Sequence, residues 1–474
     1  MILIGPSFEG VHDYQHTESI SYPIGLAYLH AALEAKGIAT KTLWLNYHPF
    51  DDCSKVVMEA IRQKTTRAVG FQMLTANRVA CYRLIEKIHK ERPEVHIILG
   101  GVHATVMYHQ LLKRYPFIII VLGEAEETLP ELIRVLDSGG QYPAGIAYSD
   151  NGEVVLTEPR GLLEDLDSLP FPRHELFMSP ERTMMCVLTS RGCPFHCSFC
   201  SLGPISHRKV RYRSVTKVVD EIEEVVSLFP QIKQVWLHDD SFFLDNERVI
   251  RFCDELIDRG IRPDFVCSGR IKPVSQEMAQ KLEEANFTKV LLGLESGDES
   301  VLRRCHKAIT QKDTIEVFEK FQHSKINLIA FLIVGLPGET EKTLMETARF
   351  VRSLQRIKYA YFHDIGILSV YPGTEVYELE KASGMIDDSY WLSDGPVPFY
   401  TLEHTEDELR AYKETLLDYI SVDRILTPKA FFKQTALLPS IIRHMASNPE
   451  TFSLYGKSIA GNVIRLTNSD GGMK

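Results

Sequence analysis

Nine cysteines are spread over 474 residues, and three of them fall within RGCPFHCSFCSL, residues 191–202. Cys193, Cys197 and Cys200 follow the spacing C-x-x-x-C-x-x-C. A disulfide would leave one thiol over. A structural zinc site takes four ligands, and His196, adjacent to Cys197, has poor geometry for the fourth. Three thiolates on a short loop can instead hold three irons of a cubane cluster, leaving the last iron open to a small molecule. Cys53, Cys81, Cys186, Cys253, Cys267 and Cys305 are isolated in sequence, the pattern of reduced cytosolic thiols rather than a disulfide framework.

A loop that does such chemistry needs a scaffold. From about residue 183, apolar runs alternate with helical stretches: MMCVLTS, QVWLHDD, DFVCSG, KVLLGLE, LIAFLIVG and AYFHDIGIL. Six β/α units predict a full or partial barrel, whose chemistry sits at the carboxyl ends of the strands. The cysteine segment follows the first of these strands. Upstream, ILIG, TLWL, AVGF, HIILG and FIIIVLG read as five buried strands of a doubly wound, Rossmann-like α/β sheet. Between the first two, Ile24, Ala27, Tyr28, Ala31 and Ala35 recur at helical spacing, with Pro23 and Gly37 suited to the helix ends. AGIAYSDNGEVVLTE predicts a hairpin turning at Asn151-Gly152, and GLLEDLDSLPFPRHELF reads as a linker. The last 75 or so residues are helical by pattern, with an N-cap signal at Thr405 and Glu408, and carry no chemical motif. The expected domains are residues 1–145, 146–182, 183–400 and 401–474.

Composition narrows the function classes. Lys and Arg total 53 against 63 Asp and Glu, a net charge of −10, which argues against a general nucleic-acid binder. No charge-free run of about 18 apolar residues predicts a membrane span, and the first residues, MILIGPSFEG, read as a strand rather than a signal peptide. A cytoplasmic protein is expected. The basic segment SHRKVRYRS (206–214) is either a solvated charged face or a contact for an anionic group.

The cysteine spacing, with Phe199 at the aromatic position, resembles the hallmark of the radical S-adenosylmethionine (SAM) superfamily, over roughly residues 183–385. That resemblance implies a [4Fe-4S] cluster on Cys193, Cys197 and Cys200, with SAM chelating the open iron and cleaved to a 5′-deoxyadenosyl radical. It places Asp239 and Asp240 near the SAM ammonium, and Ser268, Arg270 and Glu295 near its ribose and carboxylate. Gly335 and Gly338 lie where backbone approaches adenine. Helix capping by the aspartates and turn formation by the glycines are the alternatives. LGGVHAT (99–105) and LGEAEET (122–128) resemble GGxHxT and GExE signatures of cobalamin-binding domains attached to radical SAM enzymes. YPIGLAYL, DLDSLPFPR, GLESGDESVLRR, GLPGET and YPGTEVY look like the same subgroup, extending the resemblance to about residues 1–390.

The subgroup implies cobalamin bound by Gly100, Gly101, His103, Gly123 and Glu124, with the loop FQMLTANR (71–78) beneath the corrin. Leu74 or Met73 would face cobalt, with Thr75 beside them. A histidine in D-x-H-x-x-G spacing is absent, HDYQHTES (12–19) included, as in the resembling subgroup. A sheet that has lost its cofactor, with His103 capping its helix, is the alternative. The activity implied is methyl transfer from SAM through methylcobalamin to an unactivated carbon of a small molecule, or else cyclisation, ring contraction or oxidation with the same cofactors. A cobalamin-binding sensor would have no need of SAM cleavage. An external electron donor of flavodoxin or ferredoxin type is implied. Tyr361, His363, Tyr371 and Trp391 are candidate lining residues for the substrate, with core packing as their alternative.

Overall fold

The computed structural model describes residues 1–6, 22–45, 49–62, 66–362, 365–398 and 400–420. HDYQHTES and His363 therefore lie outside the described residues. The described residues form two compact units, one from within 1–240 and 369–398, the other from within 241–368 and 400–420.

The first unit is built on strands β1 (Ile2–Gly5), β2 (Lys41–Trp44), β3 (Ala68–Gln72), β4 (His96–Gly100), β5 (Ile118–Val121), β6 (Ile146–Asp150) and β7 (Glu153–Leu156), in the order β2-β1-β3-β4-β5-β6-β7. The first five are parallel. Helices α1 (Ile24–Ala35), α2 (Phe50–Arg62), α3 (Arg78–Glu91), α4 (Val102–Val106), α5 (Tyr108–Arg114) and α6 (Thr128–Ser138) connect them. Strand alternation sorts the two cores. Ile2, Ile4, Val69, Phe71, Ile97, Leu99, Ile118 and Ile120 pack with α2, α3 and α5 residues on one face. Leu3, Ala68, Ile98, Ile119 and Val121 pack with α1 and α6 residues on the other. Each fully buried aliphatic side chain stabilises by about 1.5–3 kcal/mol relative to exposure. Strand order reverses between β1 and β3, the switch point beyond which such sheets take ligands.

The hairpin β6–β7 extends this sheet, with β6 antiparallel to β5. The hairpin turns at Asn151-Gly152 as its sequence predicts, though it falls in the stretch 146–182 that the sequence groups apart from residues 1–145; the buried Ile146 and Ala147 on opposite faces explain why it joins the sheet. The unit continues with β8 (Met184–Val187), β9 (Ser190–Arg191), α7 (Gly203–Ser206), β10 (Arg211–Tyr212), α8 (Val215–Leu228) and β11 (Gln234–Leu237). β8 pairs in parallel with β11, and β9 antiparallel with β10.

In the second unit, α9 (Asn246–Asp258), β12 (Asp264–Arg270), α10 (Gln276–Glu284), β13 (Phe287–Glu295), α11 (Glu299–Arg304), α12 (Gln311–Lys320), β14 (Asn327–Val334) and α13 (Glu341–Ile357) alternate as the sequence pattern predicts. β12, β13 and β14 form a parallel ladder. AYFHDIGIL divides into β15 (Ala360–Tyr361) and β16 (Ile365–Ile367), both parallel to β14. Capping boxes at Thr310 and Thr340 start α12 and α13.

Helices α14 (Glu375–Ala382) and α15 (Asp388–Leu392) return to the first unit. The boundary expected at residue 400 thus misses a grouping that the core makes plain. Trp391 is wholly buried among first-unit residues, with Tyr377 and Ile386. α16 (Glu406–Ile420) belongs to the second unit, against α13 and β16. Thr405 and Glu408 make the hydrogen bonds expected at its start.

Candidate functional site

The cysteine loop leaves β8 through β9. Cys193 and Cys197 are half-buried and Cys200 is exposed. The Cys200 N–H donates to the Cys197 carbonyl at 3.0 Å, closing the C-x-x-C turn. Although its surface meets solvent, the protein packed around Cys200 desolvates the thiol enough to push it above its usual value, the Leu202 backbone opposes this, and Cys197 and Cys193 add to it. The one loop thus carries all three thiols within residues 193–200, the donor chemistry that iron–sulfur ligation by thiolates calls for. Gly192, at φ +92°, is needed because a Cβ there would strike the Lys209 carbonyl. Phe199 is half-buried on the same turn.

Asp239 serves this loop directly. Its buried carboxylate accepts from the Thr189 N–H at 2.6 Å, the Thr189 hydroxyl at 2.5 Å and the Ser190 hydroxyl at 2.6 Å. Asp240 is solvent-exposed at the strand end and accepts from the Gly192 N–H at 2.8 Å. Its carboxyl lies above the usual range: protein packed around its inner side desolvates it and raises it most, although its outer surface meets solvent, the Gly192 N–H opposes, and Asp239 adds to the rise. Asp239 thus fixes the entry to the cysteine loop, and Asp240 is the carboxylate left open at its edge.

Sequence reasoning missed a second set of anchors. Arg191 donates to Glu124 at 3.0 Å and to Glu126 at 2.7 Å, and its guanidinium lies 5.0 Å from the Tyr28 ring centre. Arg211 donates to both Glu124 oxygens, at 2.7 and 3.0 Å. The Leu163 N–H adds a bond to Glu124 at 3.0 Å. Burial works to raise the Glu124 carboxyl, but Arg211, Arg191 and the Leu163 amide outweigh it and hold the group below its usual range. Arg213 pairs with the buried Glu221 at 2.7 Å, and Glu221 in turn meets His174 at 2.9 Å. Lys209 pairs with Glu164. Arg211, Arg213 and Lys209 of the basic segment are thus engaged within the protein, which favours neither a bare solvated face nor an anion contact for them. Opposed E-x-E and Arg-rich segments were the signal available in sequence.

A cavity of about 230 Å³ opens at the switch point of the first sheet. It is lined by Gly25, Gln72, Gly100, Gly101, Gly123 and Glu124, among others, and by Leu188 and Arg191, which lead into the cysteine loop. A Cβ on Gly123 (φ +70°) would meet nothing within 4 Å, so this glycine leaves open space at the strand end. Gly101 (φ +98°) is needed for a close approach: a Cβ there would sit 2.7 Å from the Met73 carbonyl. A mostly apolar cleft floored by glycine backbone fits part of a large cofactor, as the sequence signatures imply. Thr105 contributes by accepting from the Gly123 N–H at 3.1 Å.

Within FQMLTANR the side chains divide. Met73 is completely buried in the sheet core, so of the two candidates for facing cobalt it is the one corrected. Leu74 and Thr75 are half-exposed. His103 lies in the interior rather than lining the cavity. Its Nδ1 meets Thr75 Oγ1 at 3.1 Å and its Nε2 meets the Tyr82 hydroxyl at 3.2 Å. Burial, with Arg78 adding, lowers its pKa to about 3, so it is neutral.

The second unit carries the other candidates. Arg270 is buried and donates to the Lys307 carbonyl, while Ser268 is half-buried on the same strand. Glu295 is buried, adopts φ +67° and pairs with Lys307 at 2.5 Å. Gly293 leaves room for that pair, since a Cβ there would lie 2.6 Å from Glu295 Oε1. Gly335 (φ +90°) donates to Glu339 Oε2 at 2.6 Å, and Gly338 (φ +81°) to Glu403 Oε2 at 2.5 Å. Burial raises the Glu339 carboxyl to about 7, against the Gly335 N–H and with Asp298 and Glu403 adding. Tyr361 is half-buried beside Tyr359. Trp391 belongs to the first unit's core with Tyr371 packed against it, so core packing accounts for both.

Residues 15–133 match the B12 binding domain, and residues 187–351 match the radical SAM superfamily. The chain belongs to the cobalamin-binding radical SAM enzymes. Its cofactors are a [4Fe-4S] cluster, SAM and cobalamin. An uncharacterized methyltransferase of Pyrococcus horikoshii is 27% identical over 427 residues, which are 87% of this chain and 89% of that one. The anaerobic magnesium-protoporphyrin IX monomethyl ester cyclase of Rubrivivax gelatinosus is 31% identical over 70% of this chain but only 62% of its own length. Among solved structures, the radical SAM methyltransferase TsrM of Kitasatospora setae, with tryptophan and a SAM analogue bound, superposes with a TM-score of 0.67 at 18% identity, covering 86% of this chain and 82% of that one. The cobalamin-dependent radical enzyme OxsB gives 0.69 at 16% identity, covering 98% and 75%. At these identities the two structures establish the fold. Among the described residues, no helix is long and apolar enough to cross a membrane.

Proposed function

We propose that this enzyme is a methyltransferase that moves a methyl group from SAM, by way of cobalamin, to an unactivated carbon of a small molecule. The observation that carries this reading is the shared wall of the first-unit cavity. Arg191, which opens the cysteine loop, lines the same cleft as Gly123 and Glu124 of the sheet. Cluster and cobalamin held on one continuous wall suit a reaction that uses both on one carbon. When bound, cluster and SAM supply the radical initiator, and cobalamin carries the methyl group. The chain's part is to hold and enclose. Asp239 fixes the turn into the cysteine loop, and Asp240 offers a carboxylate to the SAM ammonium. Ser268, Arg270, Glu295 and the Gly335–Gly338 turn receive the ribose, carboxylate and adenine. Gly100, Gly101, Gly123 and Glu124 border cobalamin.

The similarity to the P. horikoshii protein along nearly the whole of both chains supports methyl transfer. A second reading, cyclisation with the same cofactors, is supported by the higher identity to the R. gelatinosus cyclase. The reading includes an external flavodoxin- or ferredoxin-type reductant and a cytoplasmic setting. The test is anaerobic incubation of the reconstituted enzyme with SAM, reductant and cell extract, followed by mass spectrometry. One S-adenosylhomocysteine and one 5′-deoxyadenosine per methylated product are expected. Deoxyadenosine accompanied by an unmethylated, rearranged product would establish the second reading instead.

A further inference from the structure

The tip of the loop after β3 is half-exposed at Leu74, Thr75 and Ala76, yet every residue flanking it inward is tied down. The Met73 N–H donates to the Gly100 carbonyl at 2.8 Å, and the Met73 carbonyl accepts from the His103 N–H at 3.2 Å. Asn77 accepts from the Leu74 N–H at 2.8 Å and donates to the Gln72 carbonyl at 3.1 Å. Arg78 donates to the Thr75 carbonyl at 3.1 Å and, through Nε, to the Trp391 carbonyl at 3.2 Å. It also donates to the Gly395 carbonyl and stacks on the Trp391 ring at 5.0 Å. The Tyr82 hydroxyl donates to the same Trp391 carbonyl at 2.8 Å and meets His103 Nε2, whose other nitrogen meets the Thr75 hydroxyl. These contacts close a ring from the loop tip through His103 and Tyr82 to the Trp391 carbonyl, and back through Arg78 to the tip.

Such a ring is more than a core needs. A buried arginine bonded only to carbonyls is held at a desolvation cost, so its alignment matters. The tip it braces stands at the carboxyl end of β3, beside the strand ends that line the cavity. We infer that Arg78, Tyr82 and His103 are positioning residues that hold Leu74–Ala76 as a rigid platform for one face of the corrin ring, braced by the backbone return at Trp391–Gly395. This rests on the reading of the first sheet as the cobalamin site. It gives His103 a part at one remove from cofactor, and it gives residues 388–398 a part in a site far away in sequence. A preformed platform lowers the ordering cost of binding a large ligand and fixes which atoms face the metal.

The test uses the full-length protein with Tyr82→Phe and Arg78→Ala. In the apoprotein, amide exchange at residues 73–77 is expected to accelerate about tenfold in Tyr82→Phe and up to about a hundredfold in Arg78→Ala, as expected for loss of one neutral or several charge-assisted bonds. Exchange in β8 and β9 should stay unchanged. Cobalamin affinity should fall in the same order, and the electron paramagnetic resonance spectrum of bound cob(II)alamin should broaden or shift. SAM affinity should be unaffected. Faster exchange with unaltered cobalamin affinity and spectrum would show a merely structural brace and overturn the assignment. If Arg78→Ala does not fold, Tyr82→Phe, which keeps size and shape, decides alone. A wild-type protein that binds no cobalamin would instead overturn the underlying reading, a failure seen before any variant is made.

Discussion

Glu124→Ala tests how the cysteine loop is held. The Glu124 carboxylate takes two bonds from Arg211, one from Arg191 and one from the Leu163 amide. Its side chain is 15% exposed, against 16% for Arg191 and 5% for Arg211. Removing one partner of a buried pair leaves an uncompensated charge, at a cost of about 3–5 kcal/mol. Glu126→Ala is the internal control. It removes one bond to Arg191 but leaves Glu124 in place, so the loss should be about 1.5–3 kcal/mol, the worth of a charge-assisted bond. Urea unfolding of the apoproteins, followed by far-ultraviolet circular dichroism, gives both midpoints. The pH dependence gives a second, independent reading. Glu124 is depressed in the folded chain, so its contribution is complete above the ordinary glutamate value of about 4.3. That contribution is lost as pH falls through the lower native value. Wild type should therefore lose stability relative to Glu124→Gln as the solution is acidified below that point. A Glu124→Ala protein destabilised less than Glu126→Ala, or a wild-type and Glu124→Gln pair with parallel pH profiles, would refute the anchoring role.

Cys197→Ala should abolish the cluster's visible absorption and its iron content after anaerobic reconstitution while leaving cobalamin binding largely intact; joint loss of both would contradict separate holding sites. Glu339, raised to about 7 by burial, contributes stability that is complete below the unfolded value and is lost as pH rises through the folded value. Glu339→Gln should flatten the decline in stability between about pH 4.3 and pH 7, by about 4 kcal/mol at most, as read from urea midpoints across that range. Gly101→Ala places a methyl 2.7 Å from the Met73 carbonyl at a left-handed φ, whereas Gly123→Ala meets nothing within 4 Å. The first should lower the thermal midpoint strongly, and the second should cost only the left-handed backbone penalty of about 1–2 kcal/mol while obstructing cobalamin uptake.

Much of the scaffold was legible because it is written in local periodicity. Each apolar run of the first sheet and each of the six runs after residue 183 forms a strand, since burial on both faces of a parallel sheet demands continuous apolar stretches. Strand parity also assigns faces. Val69, Phe71 and Met73 share one face, so Met73 had to point into the core. Val235 and Leu237 likewise assign Asp239 inward, toward Thr189 and Ser190. What periodicity cannot encode is which distant segment completes a core. Trp391 looked as suitable for a substrate cavity as for packing, and only the fold shows it buried beside α3 and α5. Arg78 with the Trp391 carbonyl is a pairing across 313 residues that no local signal announces.

The acidic loop LGEAEET ties the sheet to the cysteine loop. Glu124 and Glu126 lie two apart, and both carboxylates reach Arg191. Opposite them stand Arg191 and Arg211, which β9 and β10 place directly across from one another. Both arginines donate to Glu124, and Arg191 also reaches Glu126, so one guanidinium spans the two carboxylates. Because the loop leaves β5 at Val121, the sheet that floors the cavity and the strand that delivers the cysteines are joined by ion pairs rather than by apolar contact alone. Apolar contact tolerates sliding, whereas several charge-assisted bonds of fixed direction do not. Under the proposed methyl transfer, in which two cofactors act on one carbon, that difference matters. An error of about 1 Å between them can lower its rate a hundredfold.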